Sequence, residues 1–193
     1  MRSNCNDHAQ PVLTGYSDTY IKLAQHRIIV VSEDISDTMA AELSALLLYF
    51  DNNDHEAQIE IYLHSNGGAA TGLVNIYDVM KMISAPIKTI CLGKCYSAAA
   101  VLLAAGSKGE RYAMKHSSIM IHGIQAGFPI PGHDITSSKN YFDYLKDNND
   151  NIMKMLAHDT NHSLEKVKED CKQDVWMNAN TAKQYGIIDH IIE

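Results

Sequence analysis

The chain has 193 residues, of which 46% are apolar and 20% charged; it can bury a core and is too hydrophobic for a disordered segment. Its net charge of −7, from 23 acidic and 16 basic residues, argues against nucleic acid or an anionic membrane as partner, because both reward clustered Lys and Arg. No apolar run approaches the roughly 20 residues that span a bilayer, and the polar start MRSNCNDHAQPVLTG lacks a signal peptide's apolar centre, so a single cytoplasmic domain, 1–193, is expected.

After a tail, residues 1–18, the β-branched run RIIVV (27–31) predicts a buried strand. A helix comes next, with Met39, Leu43, Leu46 and Leu47 at helical spacing and Asp34, Ser36 and Asp37 as candidate caps. QIEIYLH (58–64) reads as the second strand, closed by SNGG. TGLVNIYDVMKMISA then reads as a helix that stops before Pro86. IKTICLG (87–93) is a third strand, and SAAAVLLAAG (97–106) a short buried helix ended by Gly106.

ERYAMKHSSIMIH (110–122) predicts two short strands around a polar turn, and GIQAGFPIPG (123–132) a loop rich in glycine and proline. From Asp134 to Asp159 runs a polar helical stretch whose sparse core positions are Ile135, Tyr141, Leu145, Ile152 and Leu156; a helix this polar is better explained as a projecting arm than as core. The remaining SLEKVKED, TAKQYG and IIDHII read helix, helix, strand. Strand and helix alternate through the first two-thirds, which implies an α/β fold of βαβ units with a mainly parallel sheet.

The four cysteines, Cys5, Cys91, Cys95 and Cys171, lack zinc-site spacing and read as reduced thiols. His158 and His162 are four apart with no third ligand near, so they read as a solvated pair; no metal and no cofactor are expected.

Three places have the residue types for chemistry. Gly67 and Gly68 sit at a strand–helix junction, either as a tight turn or as backbone N–H groups left free for a ligand. Ser97 starts the buried helix, either as its cap or as a nucleophile whose oxyanion would meet the N–H of Ala98. His122 ends the strand SIMIH, either as a satisfied core residue or as a base. Serine catalysis also needs a carboxylate to orient that base, and Asp170 and Asp174 in KEDCKQDVW are the candidates. Spacing alone does not bring these residues together.

Four ordered blocks resemble ClpP, the proteolytic subunit of the ATP-dependent Clp protease: HSNGGAATGLVNIYDVM, GKCYSAAAVLLAAGSKGERYAM, the Met120–Ile121–His122 triplet and EDCKQDVWMNANTAKQYGIID. The likeness runs from Asp18 to Ile192. It implies Ser97 as nucleophile, His122 as base, Asp174 as orienting carboxylate, and the N–H groups of Gly68 and Ala98 as the oxyanion hole. It also implies a ClpP/crotonase-type α/β fold whose residues 123–158 form a projecting helical handle. Heptameric rings would stack into a tetradecamer fed with unfolded polypeptide by an AAA+ Clp ATPase, docked on Tyr62, Met82, Ile90, Leu92 and Met114. GIQAGFPIPG would line the peptide groove.

The sequence departs from the family at particular positions. Asn66 replaces the turn's proline, Ala98 a common Met, Gln173 an arginine that pairs rings, and Glu60 a common aromatic in the docking surface. The pair Cys95–Tyr96 is bulkier than usual, and extra prolines occupy the segment after His122. These mark a divergent member. Two rivals remain beside an active serine endopeptidase: a catalytically silent paralogue acting as a ring scaffold, and an acyl-CoA enzyme of the crotonase type, which needs no serine triad.

Overall fold

A computed structural model describes residues 16–125 and 134–193. Its elements run α1 (Tyr16–Gln25), β1 (Ile28–Val31), α2 (Asp37–Asn53), β2 (Ile59–Ser65), α3 (Ala70–Met82), β3 (Ile87–Tyr96) and α4 (Ala98–Ala104). They continue β4 (Arg111–Met114), β5 (Ser118–Ile121), α5 (Ile135–Thr160), α6 (Leu164–Asp170), β6 (Val175–Asn178), α7 (Ala179–Tyr185) and β7 (His190–Ile192). Helix and strand alternate as expected of an α/β fold, and the sheet is mixed.

The sheet's order is β1-β2-β3-β4-β7, all parallel, and it branches at β3. The first half of β3 pairs with β4 through Thr89–Cys91, whereas the second half pairs with β5 through Lys94–Tyr96. The branch falls where the β2 register shifts: Leu63 faces Cys91, but Ser65 faces Cys95. β3 therefore carries extra residues around Gly93, whose φ is +75°. Such a bulge bends a strand and re-aims the residues beyond it. Here it turns the end of β3, with Ser97 just past it, toward β5 and its antiparallel partner β6.

The core lies between the sheet and the helices. Leu47 of α2, Ile76 of α3 and all of α4 belong to one buried cluster with Ile59, Ile61, Ile87 and Cys91 of the strands. Leaving water contributes about 2 kcal/mol for each fully buried Leu or Ile, so these residues decide the fold. Arg27 ties β1 to the end of α2 and the segment after it: its guanidinium donates to the carbonyls of Phe50, Asp54, Ala57 and Gln58.

Some expectations are corrected. α1 begins at Tyr16, where a tail leading straight into a strand was expected; its apolar positions Tyr20, Leu23 and Ala24 fall at helical spacing, although none of its described side chains is fully buried. β6 was not foreseen either, since its four residues include one buried side chain, Met177. α4 stops at Ala104, two residues before Gly106. On α5, Ile152 and Leu156 are buried, but Ile135 is 90% exposed and is no core position. The first half of the helix runs past the core, with Phe142 and Tyr144 also exposed; its later turns pack on α4 and α6. Residues 1–15 of the tail and 126–132 of the GIQAGFPIPG loop lie outside the described residues.

His158 and His162 do not form a pair. His158 is exposed and contacts the Asp159 carboxylate at 3.0 Å, whereas His162 lies beyond the helix end, edge-on to Tyr185. Among the described residues no cluster of His, Cys, Asp or Glu could hold a metal ion, and no helix is long and apolar enough to cross a membrane.

Candidate active site

Two loops and two strand ends meet at one place. The SNGG turn joins β2 to α3, and Ser97 joins β3 to α4. Gly67 has φ +94°, and a Cβ on it would come within 2.6 Å of the Tyr96 carbonyl oxygen and 2.7 Å of Ser97 Cβ. The next glycine faces the other way. Gly68, at φ +150°, backs onto the Ile35 backbone, which accepts from Ala69 N–H and donates to the Gly67 carbonyl, each at 2.7 Å. No side chain fits in either place, so the pair is a close approach on both sides.

The space once filled, the N–H groups still point somewhere. Those of Gly68 and Ala98 donate to no acceptor among the described residues. α2, α5, α6 and α7 each begin with a capping side chain: Ser36, Asp134, Ser163 and Asn178. α3 and α4 do not, and both begin at this site. Uncapped helix starts leave donors open, and the macrodipole makes them favourable to negative charge.

Ser97 occupies the cap position of α4 but does not cap. Its backbone sits at φ 54°, ψ −124°, a region costing a non-glycine residue about 1–3 kcal/mol. The strain is held by Ser97 N–H donating to the Met120 carbonyl at 2.8 Å and by the Ser97 carbonyl accepting from Ala100 and Val101. This geometry turns the hydroxyl away from α4 and toward His122, whose Nε2 lies 2.7 Å from Ser97 Oγ. With Nε2 unprotonated, the hydroxyl donates to it.

β5 delivers His122 just past its last rung, and β6 runs back from Asp174, so base and carboxylate come from two adjacent antiparallel strands. The His122 Nδ1 to Asp174 Oδ1 distance is 3.6 Å, beyond a hydrogen bond, and the buried Nδ1 has no other partner among the described residues. The His122 side chain is 13% exposed and that of Asp174 43%. Asp170, the other candidate, is elsewhere: it accepts from Lys166 and from the Tyr185 hydroxyl, each at 2.8 Å.

Beside Ser97 and His122 opens a cleft of about 660 Å³. Gly68, Ala98 and Met120 line it near the serine; Leu73, Val101 and Ile152 form its apolar depth, and Tyr141 and Tyr144 of α5 border it. The arrangement supplies a hydroxyl against an imidazole, two free N–H groups and an apolar recess.

Asn66, where the turn lacks its proline, is braced by side chains that the sequence alone does not connect. Lys94 donates to its Oδ1 at 2.7 Å, and its Nδ2 donates to Asp34 at 3.1 Å, linking the turn to β3 and to the loop after β1. Ser65 Oγ accepts from Gly67 N–H at 3.1 Å and tightens the same turn.

Of the five residues named for docking, Tyr62 is on β2, Ile90 and Leu92 on β3, Met114 on β4, and Met82 ends α3. Tyr62, Leu92 and Met114 are half-buried and Met82 is 66% exposed, but Ile90 is 1% exposed. Ile90 sits in register between Tyr62 and Tyr112 and offers a partner nothing from its place.

An α/β chain with a strained serine between strand and helix, hydrogen-bonded to a histidine, has the makings of a serine hydrolase. The chain belongs to the Clp protease family, a family of peptidases, whose model matches residues 14–193.

Proposed function

We propose that this chain is a serine endopeptidase of the Clp type, cutting unfolded polypeptide inside a ring assembly fed by an AAA+ unfoldase. The observation that carries the reading is the 2.7 Å contact between Ser97 Oγ and His122 Nε2 at a strained strand–helix turn. A serine held off its backbone minimum persists only when its surroundings over-determine it, and such strain gathers where chemistry is done.

In this reading the peptide lies along the cleft with one side chain in the apolar recess. His122 takes the Ser97 proton as Oγ attacks the carbonyl carbon; the negative oxygen forms beside the N–H groups of Gly68 and Ala98. Each such donor stabilises the transition state by about 3 kcal/mol. His122 then protonates the leaving amine, an acyl ester remains on Ser97, and water activated by the same imidazole releases the acid. Asp174 steadies the imidazolium. The neutral imidazole is the working base.

One observation favours a second reading. The 3.6 Å gap between His122 and Asp174 leaves the base without its orienting partner, as suits a silent scaffold subunit. The two readings part on hydrolysis of a blocked peptide amide with a fluorogenic leaving group, assayed alone and with a Clp ATPase, alongside native mass spectrometry. The peptidase reading expects a 14-subunit particle whose turnover vanishes in Ser97→Ala. A particle of that size with no turnover under either condition supports the scaffold instead.

A further inference from the structure

Beyond Ile121 the β5 ladder ends, so the backbone bearing His122 needs other support. Among the described residues it has two backbone anchors. Gly123 N–H donates to the Cys171 carbonyl at 3.1 Å, on the segment leading to Asp174. Ile124 N–H donates to Asn149 Oδ1 at 2.8 Å, and Asn149 belongs to α5. The two anchors tie the backbone directly after the histidine to the end of α6 and to α5.

The same Asn149 oxygen lies 3.1 Å from where a Gly123 Cβ would stand, so the side chain packs tightly against the backbone it holds. Resting on the reading of Ser97 and His122 as nucleophile and base, we propose that Asn149 is a positioning residue, setting the height of His122 against Ser97 through the Ile124 N–H. The needed atom is an acceptor, not an amide donor. Aspartate offers the same oxygen at the same reach, whereas alanine offers none and leaves a half-buried N–H unpaired.

The test uses the full chain in its assembled form, comparing wild type, Asn149→Ala and Asn149→Asp. A fluorophosphonate counts competent serines, and the blocked fluorogenic peptide amide gives kcat and KM. Wild-type labelling and turnover test the underlying reading, while the ratios among variants test the role of Asn149. The expected result is about a tenfold fall in kcat per labelled site for Asn149→Ala, with KM within about twofold and the assembly size unchanged. Asn149→Asp is expected within about threefold of wild type. An alanine variant as fast as wild type overturns the role, as does an aspartate variant as slow as the alanine one. If Asn149→Ala does not assemble, Asn149→Ser, too short to reach Ile124, takes its place with the same expectations.

Discussion

Gly67 presses so closely against Ser97 that a side chain on the glycine would come within 2.7 Å of the serine's Cβ. The turn after β2 thus forms the wall behind the nucleophile. Gly67→Ala has to move either that turn or the serine, and its φ of +94° adds strain whichever moves. The displacement is of the order that costs about 100-fold in rate. We expect kcat/KM on a blocked peptide amide to fall by about that factor, with the circular dichroism spectrum kept.

Ser97 stores strain that glycine would not. Ser97→Ala and Ser97→Gly both lose the hydroxyl, so their difference in stability isolates the backbone term. Ser97→Gly should exceed Ser97→Ala by about 1 kcal/mol, a shift of about 2–4 °C in Tm for a chain of this size. Equal melting temperatures would show that the serine's backbone is unstrained.

Whether Asp174 serves His122 across the 3.6 Å that separates them is open to direct test. Asp174→Asn keeps the shape but loses the charge that would hold the imidazolium, so kcat should fall by about 10² to 10⁴ while KM changes little. Steady-state kinetics on assembled protein reads this directly. An asparagine variant with unchanged kcat would remove Asp174 from the mechanism.

Far from the site, Arg111 and Asp189 join β4 to the chain's last strand. Arg111 is 3% exposed and grips Asp189 with two bonds, at 2.8 and 2.6 Å, while its remaining nitrogen reaches the Ala104 and Asp159 carbonyls. Burial alone would raise the Asp189 carboxyl, but the guanidinium and the N–H groups of Gly109 and Arg111 outweigh it and hold the acid below its ordinary value. A depressed acid stabilises the fold above its unfolded pKa, about 3.9, and loses that contribution as the pH drops through the folded value. Asp189→Asn should therefore cost about 3 kcal/mol at pH 7 in denaturant titrations, and the difference from wild type should shrink below about pH 4.

How far the sequence speaks for the fold depends on how much local burial each segment has. The strands around Ile29, Ile61 and Ile90 bury at least half of their residues and the alanine-rich α4 is wholly buried, so their patterns reveal strands and a core helix. β6 is four residues long with one buried side chain, too short to leave a periodic trace, whereas the helical spacing of α1 sits beside a polar N-terminal run that reads as tail. Ile135 looked like core only because an apolar residue in a helix has no mark for whether its turn reaches the body of the protein. At the site, Ser97 and His122 stand out through the family's motifs, and their contact distance does not. The Asn149–Ile124 bond joins positions 25 apart through the fold, and the Lys94–Asn66–Asp34 brace spans longer intervals still. Side-chain pairs of that kind leave no spacing to read. Asn66 shows the consequence: a turn without the family's proline is tied on both sides.

The central claim is that Ser97 is a nucleophile activated by His122. Intact-mass analysis of the assembled protein after exposure to a fluorophosphonate tests it most directly. The account predicts one phosphonyl group per chain, located on Ser97, absent in Ser97→Ala and formed at least about 100-fold more slowly in His122→Ala. An assembled protein that takes up no label, or one that labels equally well in Ser97→Ala, would contradict it.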